Sequence, residues 1–251
     1  MRERRKTVLV LLIIVLVFIC GYAFFHKGDE NKVVKTVATK NGQGFKSSSQ
    51  SKSSEISDLP NVSSDDWNLI LVNRDNITKE LNPDLAYVDG KPVDARIEED
   101  VKDFLAAAQE IDSREHLISG YRTVEYQKEL FDNYVQQEMG QDSSLSEEEA
   151  EEKVKTYSQP AGASEHQTGL AIDMSTVDSL NESDASVVEQ LKEIAPKYGF
   201  VLRFQEDKSD YTGVGYEDWH FRYVGKASAR YMTEHNLSLE EYVVLLKENN
   251  Q

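Results

Sequence analysis

The ten residues Ser164 to Asp173, SEHQTGLAID, constrain this chain more than any other stretch. They offer an imidazole at His166 and a carboxylate at Asp173, seven positions apart, with Gly169 between them. The second half, LAID, has strand character and ends on the acid. A turn that runs into a short strand can aim both side chains at one point. Farther along, Glu217-Asp218-Trp219-His220 adds a second imidazole and a spare carboxylate. Two histidines, one aspartate and a glutamate that need not bind are the minimum for a catalytic zinc site, with three protein ligands and a position left for water. Singly, each has an ordinary reading: His166 as a satisfied polar residue, Asp173 as a strand-end cap, Glu217 as a surface acid. Only the combination points to a metal, and it requires a fold that brings 164–173 against 217–220.

The charge balance narrows the partners. The net charge is −17 over 251 residues, and residues 1–25 contribute +3 (Arg2, Arg4, Arg5 and Lys6 against Glu3), which leaves −20 on the remainder. Phosphate binding needs Lys and Arg, so a nucleic-acid partner is excluded. The acidic surface favours solubility and says little about fold. The single cysteine, Cys20, lies in the apolar N-terminal run, so no disulfide holds the rest together. A domain approaching 200 residues can bury enough core to manage without one. A cysteine-free exported domain fits a Gram-positive surface protein better than a disulfide-rich scaffold.

The basic start is followed by an almost uninterrupted apolar run, Val8 to Phe25. As a helix those 18 residues rise roughly 27 Å, close to the ~30 Å of a bilayer core. The expectation is a single-span anchor over 1–25, basic end in the cytoplasm and the rest on the extracytoplasmic face. A cleaved signal peptide, with Gly21-Tyr22-Ala23 as cleavage site, and a lipid-modified Cys20 are the alternatives. Residues 26–60 include the tract KSSSQSKSSE. They cannot bury enough apolar surface to offset ordering entropy, and so read as a disordered Ser-rich tether. One globular domain over 61–251 follows.

Within that domain, packing is expected from about Trp67, with WNLILVN (67–73) as a strand and NPDLAYV (82–88) as an extended segment before a DGKP turn. Helix spacing of Ile97, Val101, Phe104, Leu105 and Ala108 predicts a helix over 96–111. His116 to Ser119 reads as a strand. Thr123 can cap a helix to about Met139, with Tyr126, Leu130, Phe131 and Tyr134 on one side. The run EEEAEE after Ser146 reads as a capped, solvated helix rather than a calcium loop, since no Asp-x-Asp-x-Asp-Gly pattern is present. A helix over 186–198 closed by Gly199, strands at 200–204 and 219–224 around a polar loop at 205–215, and helices over 226–236 and from the Ser238 cap to about Glu248 complete the chain. Helices mixed with short strands predict an α+β fold: a small, mainly antiparallel sheet flanked by helices around a central cleft. His26, His116 and His235 have structural readings.

SEHQTGLAID matches the pattern S-x-H-x-x-G-x-A-x-D, and EDWH matches E-x-x-H. Together they resemble the D-Ala-D-Ala carboxypeptidase metallopeptidase superfamily, to which the Hedgehog amino-terminal domain and some phage endolysins also belong. SGYRT at 119–123, the tyrosine-rich segment after it and SLEEYVVLL at 238–246 look like its VanY branch, and within that the LdcB/DacB-type L,D-carboxypeptidases of Gram-positive bacteria. The likeness covers roughly residues 67–248. It implies one Zn2+ ion held by His166, Asp173 and His220, with Glu217 as general base. Arg122 would grip a substrate carboxylate, and Ser164 and Gln127 would be further substrate contacts. Each of these three has a plainer reading: a surface ion pair for Arg122, a turn residue for Ser164, a solvent-facing side chain for Gln127. The implied activity is removal of a terminal D-alanine from peptidoglycan stem peptides by a monomer, with the L,D bond of tetrapeptides as first expectation. The alternatives are the D,D bond of pentapeptides, an endopeptidase, and a non-catalytic wall-binding module with structural zinc. Arg122 argues against the endopeptidase, and the retained Glu217 against the module.

Overall fold

The computed structural model describes residues 58–179 and 182–249. The expected anchor or signal over 1–25, with Cys20, and nearly all of the tether lie outside the described residues. Among the described residues no helix is long and apolar enough to cross a membrane. Packing begins before Trp67, since Leu59 and Val62 already lie against a core cluster.

The fold is α+β. A hairpin of β1 (Leu85–Val88) and β2 (Lys91–Asp94) turns at Asp89-Gly90, both with positive φ (49° and 74°), the geometry that Asp-Gly turns favour. Four more strands form the central antiparallel sheet: β3 (His116–Ser119), β4 (Ala171–Ser175), β5 (Phe200–Leu202) and β6 (His220–Tyr223), in the order β3-β4-β6-β5. The helices are α1 (Glu98–Ile111), α2 (Val124–Gln141), α3 (Glu147–Val154), α4 (Ala185–Ile194), the one-turn α5 (Ser209–Thr212), α6 (Lys226–Glu234) and α7 (Leu239–Glu248).

Local chemistry accounts for most helix ends. Thr123 caps α2 by accepting from the Tyr126 N–H, and Ser146 and Ser238 begin α3 and α7 with full capping boxes. Three acids fill the first turn of α1, where the helix dipole favours them. Its apolar stripe of Val101, Phe104, Leu105 and Ala108 is buried as the spacing predicts. The expected 186–198 helix ends in a 3-10 turn at Ala195–Tyr198, closed by Gly199 at φ 88°.

The sheet divides its residues by alternation, since paired residues share a face. On one face Leu117, Met174, Ile172, Phe221, Leu202, Phe200 and Tyr223 meet α1 and α4 in the main core, with Phe104 stacked 5.2 Å from the Phe200 ring. On the other face lie Ser119, Asp173, His220, Ala171, Arg222 and Val201. Val201 packs there with α6 and α7 in a second cluster. Every residue of β4 and β6 is buried. The apolar-polar alternation of AIDMS and HFRY therefore separates core from site, not core from solvent.

Three expectations are corrected. WNLILVN is not a strand: Trp67–Leu69 is a 3-10 turn, and the chain beyond it is irregular. The carbonyls of Asn68 and Ile70 accept from the Arg222 guanidinium (3.2 and 2.8 Å) instead of from a neighbouring strand. Tyr126 is exposed, because α2 is turned to bury Gln127, Phe131, Val135 and Glu138. The polar loop at 205–215 contains a 3-10 turn and α5.

Candidate metal centre

Strand register assembles most of the centre. Asp173 on β4 lies directly opposite His220 on β6 and opposite Ser119 on β3, so three polar side chains stand in one row across the sheet. His166 arrives from a 3-10 turn, Glu165–Thr168, that ends at Gly169 with φ 72°. A Cβ at Gly169 would sit 2.9 Å from the Asp94 backbone nitrogen, so the reversal that feeds β4 needs both the positive φ and the missing side chain. Ser164 caps this turn by accepting from the His166 N–H, which is the turn role the sequence allowed.

The ligand atoms of His166, Asp173 and His220 lie within 4.8 Å of one another, and all three residues are buried. His166 Nε2 is 3.3 Å from Asp173 Oδ2, and His220 Nδ1 is 3.2 Å from Asp173 Oδ1. Each imidazole is fixed from behind. His166 Nδ1 is 2.7 Å from the Gly120 carbonyl, to which it donates, leaving the Nε2 lone pair inward. His220 Nε2 lies 3.2 Å from Glu165 Oε2. Ser119 Oγ donates to Asp173 Oδ2 at 2.5 Å.

This arrangement fits a zinc ion. The donors are two nitrogens and a carboxylate, the usual zinc set. Among the described residues Asp173 Oδ1 is buried without a hydrogen-bond partner despite its closeness to His220. Burial and the nearby Arg122 charge pull His166 down to about 4, so its inward nitrogen carries a lone pair. Burial works against ionising Asp173, but the two imidazoles hold its carboxyl well below the usual range. Burial also opposes charge on His220, yet the neighbouring Asp173 and Glu165 carboxylates push it up to about 9.

Glu217 is buried beside this group, with Oε2 3.7 Å from His220 Nδ1. Burial, above all, raises its carboxyl to about 8. Arg122 lies on the turn between β3 and α2, and its backbone N–H donates to the His166 carbonyl at 3.1 Å. Its guanidinium is close enough to act electrostatically on His166, Glu217 and Tyr134, and its buried Nε has no hydrogen-bond partner among the described residues. Gln127 faces inward, not toward solvent. Its amide donates to the Gln159 carbonyl at 2.6 Å, tying α2 to the segment that leads into the motif, while Oε1 is buried and unpartnered. Trp219 is buried.

Several residues around the centre were not singled out in the sequence. Glu165, Arg203, Arg222 and Glu240 form a buried charge network behind His220. The HFRY alternation places Arg222 on the face of His220, which is the one signal that pointed to it. An N-terminal strap also holds the loops of the site. Thr78 pairs with Gly162 and Gln167, and Glu80 accepts from the Tyr121 hydroxyl and the Val124 N–H on either side of Arg122.

Residues 90–226, more than half of the chain, match the family described as VanY, D-alanyl-D-alanine carboxypeptidase. A D-alanyl-D-alanine carboxypeptidase of Enterococcus faecalis is 36% identical over 180 residues, covering 71% of this chain and 66% of its own length. The chain thus spans just under two thirds of that relative. The crystal structure of a vancomycin-resistance D,D-pentapeptidase VanY in complex with Zn(II) superposes with TM-score 0.63 at 34% identity, covering 71% of this chain and 99% of that one. The LdcB LD-carboxypeptidase, described with its peptidoglycan recognition, gives TM-score 0.54 at 31% identity over 70% of this chain and 86% of that one. By sequence, by fold and by its His-Asp-His group, the chain belongs to the VanY D-alanyl-D-alanine carboxypeptidase family.

Proposed function

We propose that the protein is a zinc carboxypeptidase that removes the terminal D-alanine from peptidoglycan stem peptides on the extracytoplasmic face of the membrane, tethered by its N-terminal segment. The observation that carries this is Arg122. In a chain with 45 acids against 28 basic residues, its guanidinium is close enough to act on the Glu217 carboxyl, and its buried Nε is unpartnered among the described residues. A guanidinium fork holds a free carboxylate by two parallel hydrogen bonds, and a carboxypeptidase must hold one.

His166, Asp173 and His220 would hold the ion. Zinc, when bound, supplies a Lewis acid that polarises the scissile carbonyl and lets water lose a proton near neutral pH. Glu217 takes a proton from the attacking water and passes it to the leaving amine as the amide C–N bond breaks, releasing D-alanine and the shortened stem. Burial raises the Glu217 carboxyl above the usual carboxylate range, which favours its holding the proton before the amine takes it. Arg122 would orient the terminal carboxylate, and Gln127, whose buried Oε1 is unpartnered among the described residues, and Ser164 would be further substrate contacts.

The D,D bond of pentapeptides is the first reading, supported by the family match and by the better superposition on the VanY structure. The L,D bond of tetrapeptides, expected from the sequence, is the second, supported by the likeness to the LdcB enzyme. Incubation with tetra- and pentapeptide muropeptides, with D-alanine release followed, separates them. Release from neither, with zinc bound, leaves a wall-binding module. Cleavage of a C-terminally amidated stem points to an endopeptidase. Glu217→Ala is expected to lower turnover by about 10²- to 10⁴-fold with zinc retained; unchanged hydrolysis overturns the mechanism.

A further inference from the structure

Behind His220, on the side away from Asp173, lies a carboxylate that the metal centre does not consume. Glu165 Oε1 accepts from Arg203 Nε and from Arg222 Nη1, each at 2.8 Å. Oε2 is left to His220 Nε2 at 3.2 Å. Arg203 turns its other two nitrogens onto Glu240, at the start of α7, at 2.9 and 2.6 Å. Arg222 turns its second one onto the carbonyls of Asn68 and Ile70. Glu165, Arg203 and Arg222 are 3%, 2% and 0% exposed.

We propose that Glu165 is a positioning residue for the metal: it fixes the proton of His220 on Nε2 and so presents the Nδ1 lone pair to the ion. Donors and acceptors at Glu165 decide where the proton sits. Two guanidiniums have no acceptor atoms, so both must donate to Oε1, and the ionised carboxylate has no proton to give. The contact at Oε2 therefore requires a hydrogen on His220 Nε2. A neutral imidazole with that hydrogen has its lone pair on Nδ1, the atom that faces Asp173 and Glu217. Partners of this kind set ring orientation and ligand basicity in metal sites.

The competing account is a plain ion cluster that pins α7 to the sheet. Buried ion pairs are poor tethers, because desolvation offsets their attraction and apolar packing serves as well. Helix α7 already has such packing through Leu239, Tyr242, Val243 and Leu246. The imidazole gives the network a reason to be charged.

The inference rests on the metal centre alone and not on which bond is cut, so zinc affinity tests it whether or not hydrolysis is observed. In Glu165→Gln the guanidiniums still demand the oxygen. The amide NH2 then faces His220 Nε2, and the imidazole must carry its proton on Nδ1. Zinc affinity, measured by chelator competition on the whole chain, should fall roughly 10- to 100-fold. Glu240→Gln, which loosens only the far end, should lower the melting temperature of the zinc-free protein and leave zinc affinity unchanged. Equal affinity losses in both variants, tracking their loss of melting temperature, overturn the proposal, as does unchanged affinity in a folded Glu165→Gln protein. If that variant does not fold, nitrogen-15 imidazole spectra of the zinc-loaded wild type decide. A proton on His220 Nε2 supports the assignment, and a bare Nε2 overturns it.

Discussion

The two faces of the central sheet are built from the same four strands and follow different rules. On the core face, Ile172, Met174, Phe200, Leu202 and Phe221 surround Phe104, and any set of the right volume could fill the space. On the site face, Asp173, His220 and Arg222 are just as buried, but their polar atoms are aimed at particular neighbours. Dispersion and the hydrophobic effect are indifferent to direction, whereas hydrogen bonds and metal ligation are not. One face therefore carries stability that tolerates substitution, and the other carries geometry that does not.

Substitutions on opposite faces test this division. Asp173→Asn on the site face should reduce zinc affinity by more than the ~100-fold that loss of an outer hydrogen-bond partner costs. Phe104→Ala on the core face should do the reverse. It should lower folding stability by about 3–5 kcal/mol by denaturant titration, while the folded fraction keeps its zinc affinity. A matching loss of zinc affinity in Phe104→Ala would mean that the faces are not separable.

Gly169 lies between the two, where the site turn enters a core strand. Gly169→Ala should cost about 1–3 kcal/mol, from positive φ and from contact with Asp94, and should weaken zinc binding by displacing His166. A stability loss without any change in zinc affinity would show that the turn can absorb the methyl group.

The smallest expected effect concerns Glu115, just before β3. Both of its carboxylate oxygens are buried without a partner, and burial, then the Asp112 charge, raises it from 4.5 to about 7. The folded state thus binds this proton more tightly than the unfolded chain. The contribution is fully present below pH 4.5 and is lost as pH rises to about 7. With solvent screening taken into account, the wild type should lose about 1 kcal/mol over that window, and Glu115→Gln should flatten the profile. Parallel profiles for the two proteins would remove Glu115 as the cause.

Much of this was legible in the chain. The Asp-Gly turn, the Ser and Thr caps and the apolar stripe of α1 act over a few residues, so their signals are local. The four motif residues were legible because their chemistry is rare in combination. The strand expected at 67–73 failed because its carbonyls go to Arg222, some 150 residues away. The side of α2 that is buried was misjudged because Gln127, not Tyr126, meets the Gln159 carbonyl.

Which atoms can bind a metal, and which segments turn, coil or extend, is written along the chain, because these follow from side-chain chemistry and short-range sterics. Folding in three dimensions set Asp173 and His220 opposite each other, and brought Glu165 to His220 while Arg203 and Arg222 hold it. It also decided that Arg122 keeps a buried nitrogen without a partner. Those outcomes depend on strand register and on pairings across long stretches of chain, where one residue of slip would move every polar side chain to the opposite face.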